Sequence, residues 1–95
     1  MRSYFILSYD VSDPARWRRV YRIARDYGDA LQYSVFLCEL GDRDKAMLEG
    51  RMREAISKDD DQVLLIRLRS AEDIAGIVES MGRPIEIVDR KLLIY

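Results

Sequence analysis

The residue best placed for chemistry is Asp10, which closes the run Phe5-Ile6-Leu7-Ser8-Tyr9-Asp10 and is followed at once by Val11-Ser12-Asp13-Pro14. An apolar β-favouring run that ends in a carboxylate and then starts a helix puts Asp10 in a tight strand-to-helix connection. Catalytic and binding groups concentrate in such connections. Asp10 is either a functional carboxylate or a local cap or turn residue, because aspartate is common before helices. A second feature is cationic. Arg18, Arg22 and Arg25 share one helical side at i, i+4, i+7, Arg19 lies between that row and the core edge, and Arg16 lies near Asp10. Guanidinium groups suit bidentate phosphate contacts. A solvated helix face, or an arginine-rich composition from a GC-rich genome, accounts for the same row.

What is absent narrows the chemistry. The chain has no histidine, which removes the commonest general base, the commonest metal ligand and every histidine-dependent triad. Any catalysis falls to carboxylates, hydroxyls, arginines or a metal. Cys38 is the one cysteine, so an internal disulfide and a cysteine-based zinc cluster are excluded, and its strand context reads as a buried thiol. Asp59-Asp60-Asp61 lacks the alternate ligands, central glycine and distant glutamate of a calcium loop, and reads as a solvated turn.

The elements that must hold these residues follow from periodicity. Tyr4 to Leu7 is short and apolar enough for a strand buried on both faces. Asp13 and Pro14 read as the N-cap and first position of a helix running to about Tyr27, with Gly28 as its stop. Trp17, Val20, Ala24 and Tyr27 form its buried stripe, flanked by Tyr21 and Ile23. From Ala30 to Leu40 apolar residues alternate, as one bent strand or as two strands meeting around Ser34 to Phe36. Gly41-Asp42 opens a second helix with Leu48, Met52 and Ala55 inward, which Gly50 weakens by about 1 kcal/mol. Val63 to Leu68 reads as a second central strand buried on both faces. Ser70-Ala71-Glu72-Asp73 starts a short third helix reaching Gly82, and Ile85 to Val88 and Lys91 to Tyr95 are strand-like.

At 95 residues the chain is expected to form a single domain spanning 1–95. This order of elements predicts an α+β fold, a split βαβ sandwich with helices on one face of a largely antiparallel sheet. The uncovered face and the terminal strands, about residues 83–95, predict a homodimer in which those strands extend or cross sheets. Hydrophobic residues at 48% with 35% charged describe a soluble protein, and no apolar run approaches the roughly 20 residues of a membrane span. Met1-Arg2-Ser3-Tyr4 leads directly into the first strand, so the expectation is no signal peptide and a cytoplasmic protein. A net charge of −1 excludes coating of nucleic acid by bulk charge and leaves only local cationic clusters for polyanions.

Ser8-Tyr9-Asp10-Val11-Ser12-Asp13, the basic first helix, and Gln32-Tyr33-Ser34-Val35-Phe36 with Glu39-Leu40 together resemble the small CRISPR-associated Cas2 family over roughly the first seventy residues. The resemblance implies a ferredoxin-like homodimer in which Asp10 from two protomers meets across the two-fold axis and holds one Mg²⁺ or Mn²⁺ per dimer. Two close carboxylates repel unless a cation or shared proton intervenes. Magnesium typically takes one or two carboxylates, keeps its waters, and can activate water at a phosphodiester without imidazole. By the same resemblance Tyr9, Ser12, Arg16 and Arg19 lie around the metal or phosphate path, with Tyr9 and Ser12 grouped with Asp10 as catalytic. Ser34 and Phe36 contribute from the second strand. Each has a plainer alternative: Tyr9 and Phe36 as packing, Ser12 as a turn residue, Ser34 as a strand bend. The implied activity is metal-dependent endonucleolytic cleavage of single-stranded RNA or double-stranded DNA. A scaffold role, bridging integrase dimers in spacer acquisition, is implied equally and would set Arg18 and Arg22 against a duplex backbone. The implied partners are a second copy, the CRISPR integrase subunit, and RNA or double-stranded DNA. The rival from another class is a ferredoxin-like regulatory or interaction module that binds no nucleic acid.

Overall fold

The strand that begins at Ser3 becomes the organising element of the computed structural model, which describes residues 2–69 and 78–84. Strand β1, Ser3–Asp10, leads into α1, Pro14–Tyr27, then β2, Gly28–Gln32, and β3, Val35–Leu40. Helix α2, Asp42–Ala55, and strand β4, Gln62–Leu68, follow. The sheet order is β2-β3-β1-β4. Strand β1 pairs antiparallel with β3, from Ser3 opposite Leu40 to Ser8 opposite Val35, and with β4, from Tyr4 opposite Leu68 to Asp10 opposite Gln62. This is the split βαβ arrangement of the ferredoxin-like α+β fold.

Period-two alternation sends Phe5, Leu7 and Tyr9 to one side of β1, where they join Val20, Ile23 and Ala24 of α1, Leu48, Met52 and Ala55 of α2, and Phe36 and Cys38 of β3 in one core. Burial on both faces, expected for β1 and β4, is not what forms. Burial alternates along both strands, and Leu64 and Ile66 are 45% and 50% exposed. The reason is that the two helices cover the same side of the sheet. The second side carries a smaller apolar cluster of Leu37 and Leu68, with Tyr4, Ile6, Leu31 and Val78 against it. Among the described strands β4 is also an edge, not a central strand.

The 30–40 segment resolves into two strands around a turn at Tyr33-Ser34, with a register irregularity between Ala30 and Gln32. Gly28 ends α1 in extended backbone, φ −160°, and so does not form the left-handed stop that glycine usually supplies there. Its need for glycine is spatial. A Cβ at Gly28 would lie 2.5 Å from both Cys38 Sγ and the Leu37 carbonyl oxygen. The expected third helix begins at 70–77, outside the described residues, and its last part, 78–82, is not helical. Val78 packs on the sheet instead, Gly82 has a φ of +91°, and the residue before Pro84 disfavours helix. The expected strands at 85–95 lie outside the described residues.

Candidate active site

The alternation that buries Tyr9 turns Asp10 the other way. Asp10 is the last ladder residue of β1, opposite Gln62, exposed, and on the sheet side away from α1 and α2. It therefore closes the strand and does not lie in the connection itself, which is 11–13. No hydrogen bond or ion pair holds its carboxylate among the described residues. Val11 buries its side chain and pins the connection, while Ser12 beside it is exposed. Asp13 then accepts a hydrogen bond from the Arg16 backbone N–H at 2.9 Å, capping α1 at the position where Pro14 needs no donor.

Arg16 is committed to protein contacts. Its Nε and Nη2 donate to Asp61 at 2.8 and 3.3 Å, and Asp13 lies 4.0 Å away. The reading of 59–61 as a solvated turn needs correction here: the Asp61 side chain is fully enclosed and also accepts from the Ser57 backbone N–H at 2.8 Å. The hydrogen bond from Arg16, then the Ser57 N–H, hold the Asp61 carboxyl below its usual range, and the same bond raises the Arg16 guanidinium. Because Asp61 immediately precedes Gln62, the ladder partner of Asp10, this clasp ties the first turn of α1 to the strand beside the carboxylate. Sequence gives no signal for it, since 45 residues separate the two groups.

Tyr9 is next to Asp10 in sequence and on the opposite side of the sheet. It is 5% exposed, its O–H donates to the Tyr33 carbonyl, and its backbone N–H donates to Ser34 O at 3.1 Å. Its ring stacks against Phe36 at 6.2 Å. Burial, with a smaller contribution from Tyr21, pushes the phenol up to about 12, so at neutral pH Tyr9 is a neutral donor. Phe36 has no exposed surface, and Ser34 is half-buried in the turn. Of the residues that the resemblance assigned to catalysis and nucleic-acid contact, the structure brings Asp10 and Ser12 together at one end of the sheet. It places Tyr9 and Phe36 in the packing beneath α1 and gives Arg16 to Asp61.

Arg18, Arg19 and Arg22 are exposed on α1 and make no hydrogen bond or ion pair among the described residues. Arg25 folds back over Tyr21, its guanidinium 5.9 Å from the ring centre. Tyr33, which shares the alternation of Leu31 and Val35 in the sequence, is 75% exposed at the hairpin turn. Among the described residues no three carboxylates or thiolates cluster to hold a metal. Asp10 is an accessible hard oxygen donor at this end of the sheet, one ligand from one chain. No helix among the described residues is long and apolar enough to cross a membrane.

Sheet order and helix placement define a ferredoxin-like α+β protein with a lone exposed carboxylate where its first strand ends. The family model described as CRISPR associated protein Cas2 matches residues 1–74, and the chain belongs to that family. A CRISPR-associated endoribonuclease Cas2 of Rhodospirillum rubrum is 34% identical over 90 residues, covering 95% of this chain and 88% of that protein. Its counterpart from Geobacter sulfurreducens is 32% identical over 94 residues, covering 99% of each. The crystal structure of Streptococcus pyogenes Cas2 matches with a TM-score of 0.74 at 27% identity, covering 83% of this chain and 99% of that one.

Proposed function

We propose that this protein is a metal-dependent endonuclease that hydrolyses phosphodiester bonds as a homodimer, with Asp10 as its catalytic carboxylate. The observation that carries this reading is the placement of Asp10: exposed, unpaired among the described residues, and on the same side of the sheet as the apolar face of Ile6, Leu37, Leu64, Ile66 and Leu68. Apolar faces of this kind bury themselves against a partner. Association of two copies through that face would carry Asp10 from each toward the interface. A hard divalent cation, Mg²⁺ or Mn²⁺, fits such oxygen donors, which would be Asp10 from both chains. When bound it supplies Lewis-acid and water-activating chemistry that a chain without histidine otherwise lacks. The exposed Ser12 hydroxyl is close enough in sequence to orient a phosphate or water beside Asp10. RNA is the first substrate to test, because the relatives from Rhodospirillum and Geobacter are named endoribonucleases. Double-stranded DNA is the second.

The test compares wild type with Asp10→Asn on labelled single-stranded RNA and duplex DNA, with Mg²⁺, with Mn²⁺ and with EDTA. Cleavage should need the metal and fall on the order of 100-fold or more in the variant, while circular dichroism and elution volume stay unchanged. Wild-type cleavage by pure Asp10→Asn protein would overturn the assignment.

A second reading is supported by Arg18, Arg19 and Arg22, exposed and unpaired among the described residues. In this role the dimer is a scaffold in CRISPR spacer acquisition that holds duplex DNA between copies of the integrase subunit, and Asp10 is dispensable. Spacer acquisition that survives Asp10→Asn and is lost when the arginines are replaced would favour it.

A further inference from the structure

Four aromatic rings meet where α1 crosses the β2–β3 hairpin. Trp17 and Tyr21 lie nearly parallel, with centroids 5.3 Å apart at 9°, and Tyr33 closes on them at 6.3 and 6.4 Å. Phe36 supports Tyr21 from the core at 5.7 Å. The outermost ring, Tyr33, is 75% exposed. Beside it an open groove of about 570 Å³ runs along the outer edge of β2, lined by Tyr21, Gln32, Tyr33, Ser34 and Arg83 among others. Nothing in the nuclease site uses these rings.

We propose that this groove binds an unpaired nucleotide of a single-stranded polynucleotide, with its base stacked on Tyr33. Three features select that ligand. A large aromatic ring flanked by Trp17 and Tyr21 and open to solvent offers a stacking surface to any base, because every base has a π-face. Gln32 and Ser34 line the same groove with side chains that can both donate to and accept from a base edge. Arg83 in the groove, with Arg25 over Tyr21 and the exposed Arg22 on α1, supplies cations for the flanking phosphates. A duplex keeps its bases stacked on each other, so it can use the arginines but not the ring.

The groove is coupled to the candidate active site through Tyr9. The Tyr9 O–H and N–H grip the Tyr33 and Ser34 carbonyls, fixing the turn to the end of β1 that bears Asp10, one strand spacing of about 4.8 Å away. The Tyr33 ring and the Asp10 carboxylate lie at the same end of the sheet on opposite sides of it, so a single strand would pass around that end to meet both. The inference rests on the nuclease reading in that it takes a polynucleotide as the ligand. It adds a base-stacking subsite at the hairpin turn, apart from the residues that would carry cleavage.

The test measures binding of a fluorescein-labelled 12-nucleotide RNA and of its duplex, in EDTA, by anisotropy across a salt series. Tyr33→Ala should weaken single-strand binding on the order of tenfold, leave duplex affinity within about twofold and leave the salt slope unchanged. Tyr33→Trp should retain single-strand affinity. Single-strand binding by Tyr33→Ala within about twofold of wild type, or equal loss for both ligands, would overturn the inference. Wild-type binding of duplex but not single strand would overturn it and leave the nucleic-acid reading standing. Salt-independent or absent binding of both would sink the two together.

Discussion

Replacing Tyr9 with phenylalanine separates a reacting tyrosine from a structural one, because the substitution keeps the ring and removes only the hydroxyl. The residue is 5% exposed, and its O–H makes one hydrogen bond, to the Tyr33 carbonyl. A hydrogen bond of this kind contributes about 0.5–1.5 kcal/mol net. At about 4–8 °C per kcal/mol for a domain of 60–100 residues, Tyr9→Phe should lower Tm by roughly 2–12 °C. Stacking on Phe36 survives the change, so a larger loss is not expected. The pH dependence adds a second handle. Folding raises this phenol from its ordinary 10.0 to about 12, so its contribution is complete below about pH 10 and is lost as pH rises through about 12. The stability gap between wild type and Tyr9→Phe should therefore narrow over that window. Thermal melts followed by circular dichroism, at one protein concentration and in steps from pH 7 to 12, measure both effects. Since the hydroxyl does not face Asp10, cleavage should stay near the wild-type rate. A hundredfold loss of cleavage with an unchanged Tm would refute the structural role and restore Tyr9 to the chemistry.

Gly28→Ala should destabilise by about 1–3 kcal/mol, read as a lowered urea midpoint, because the new Cβ meets Cys38 Sγ and the Leu37 carbonyl. Adding Cys38→Ala should recover only part, as the carbonyl remains; a wild-type midpoint for the single variant would contradict the packing. Asp61→Asn removes the nearer carboxylate of Arg16 and leaves it only the longer contact to Asp13, so a stability gap to wild type should be present at pH 7. Folding lowers this carboxyl below its ordinary 3.8, so the gap should close only as pH falls below that value, and a gap unchanged between pH 7 and pH 3 would argue against the ion pair. Arg18→Ala with Arg22→Ala should weaken duplex binding alike for all sequences and lower the salt slope by about two, which a titration from low to moderate salt measures.

Much of the architecture could be read from the chain because local rules and tertiary packing agree there. Asp13-Pro14 is both a good cap and the observed one, and the stripe through Val20 and Ala24 is the buried side of α1. The failures have physical causes. Val63 to Leu68 is apolar throughout, and a continuous apolar run does not reveal whether one face or two is covered. Gly28 does end α1, as its type suggests, but the need for glycine there comes from a strand ten residues away in the chain, which residue type does not show. Asp61 shares its type and neighbours with Asp59 and Asp60, and the approach of Arg16 with the Ser57 N–H sets it apart.

The strand period also explains why a motif of adjacent residues divides into unlike roles. Tyr9 and Asp10 cannot both face one cavity, because successive side chains of a strand point to opposite sides of the sheet. In this chain the tyrosine goes to the helix side, where it fastens the hairpin turn, and the aspartate goes to the side away from α1 and α2. Among the described residues that side lacks two things at once. Leu64 and Ile66 remain near half exposed there, and Asp10 offers one carboxylate where a hard cation is held more firmly by two. A second copy packed on this face would remedy both, burying the leucine and isoleucine and supplying the other carboxylate. Dimer stability and metal affinity should then fall together when the face is made polar. An Ile66→Lys chain that stays folded but elutes as a monomer and no longer cleaves would follow from that linkage, while a monomer with full activity would break it.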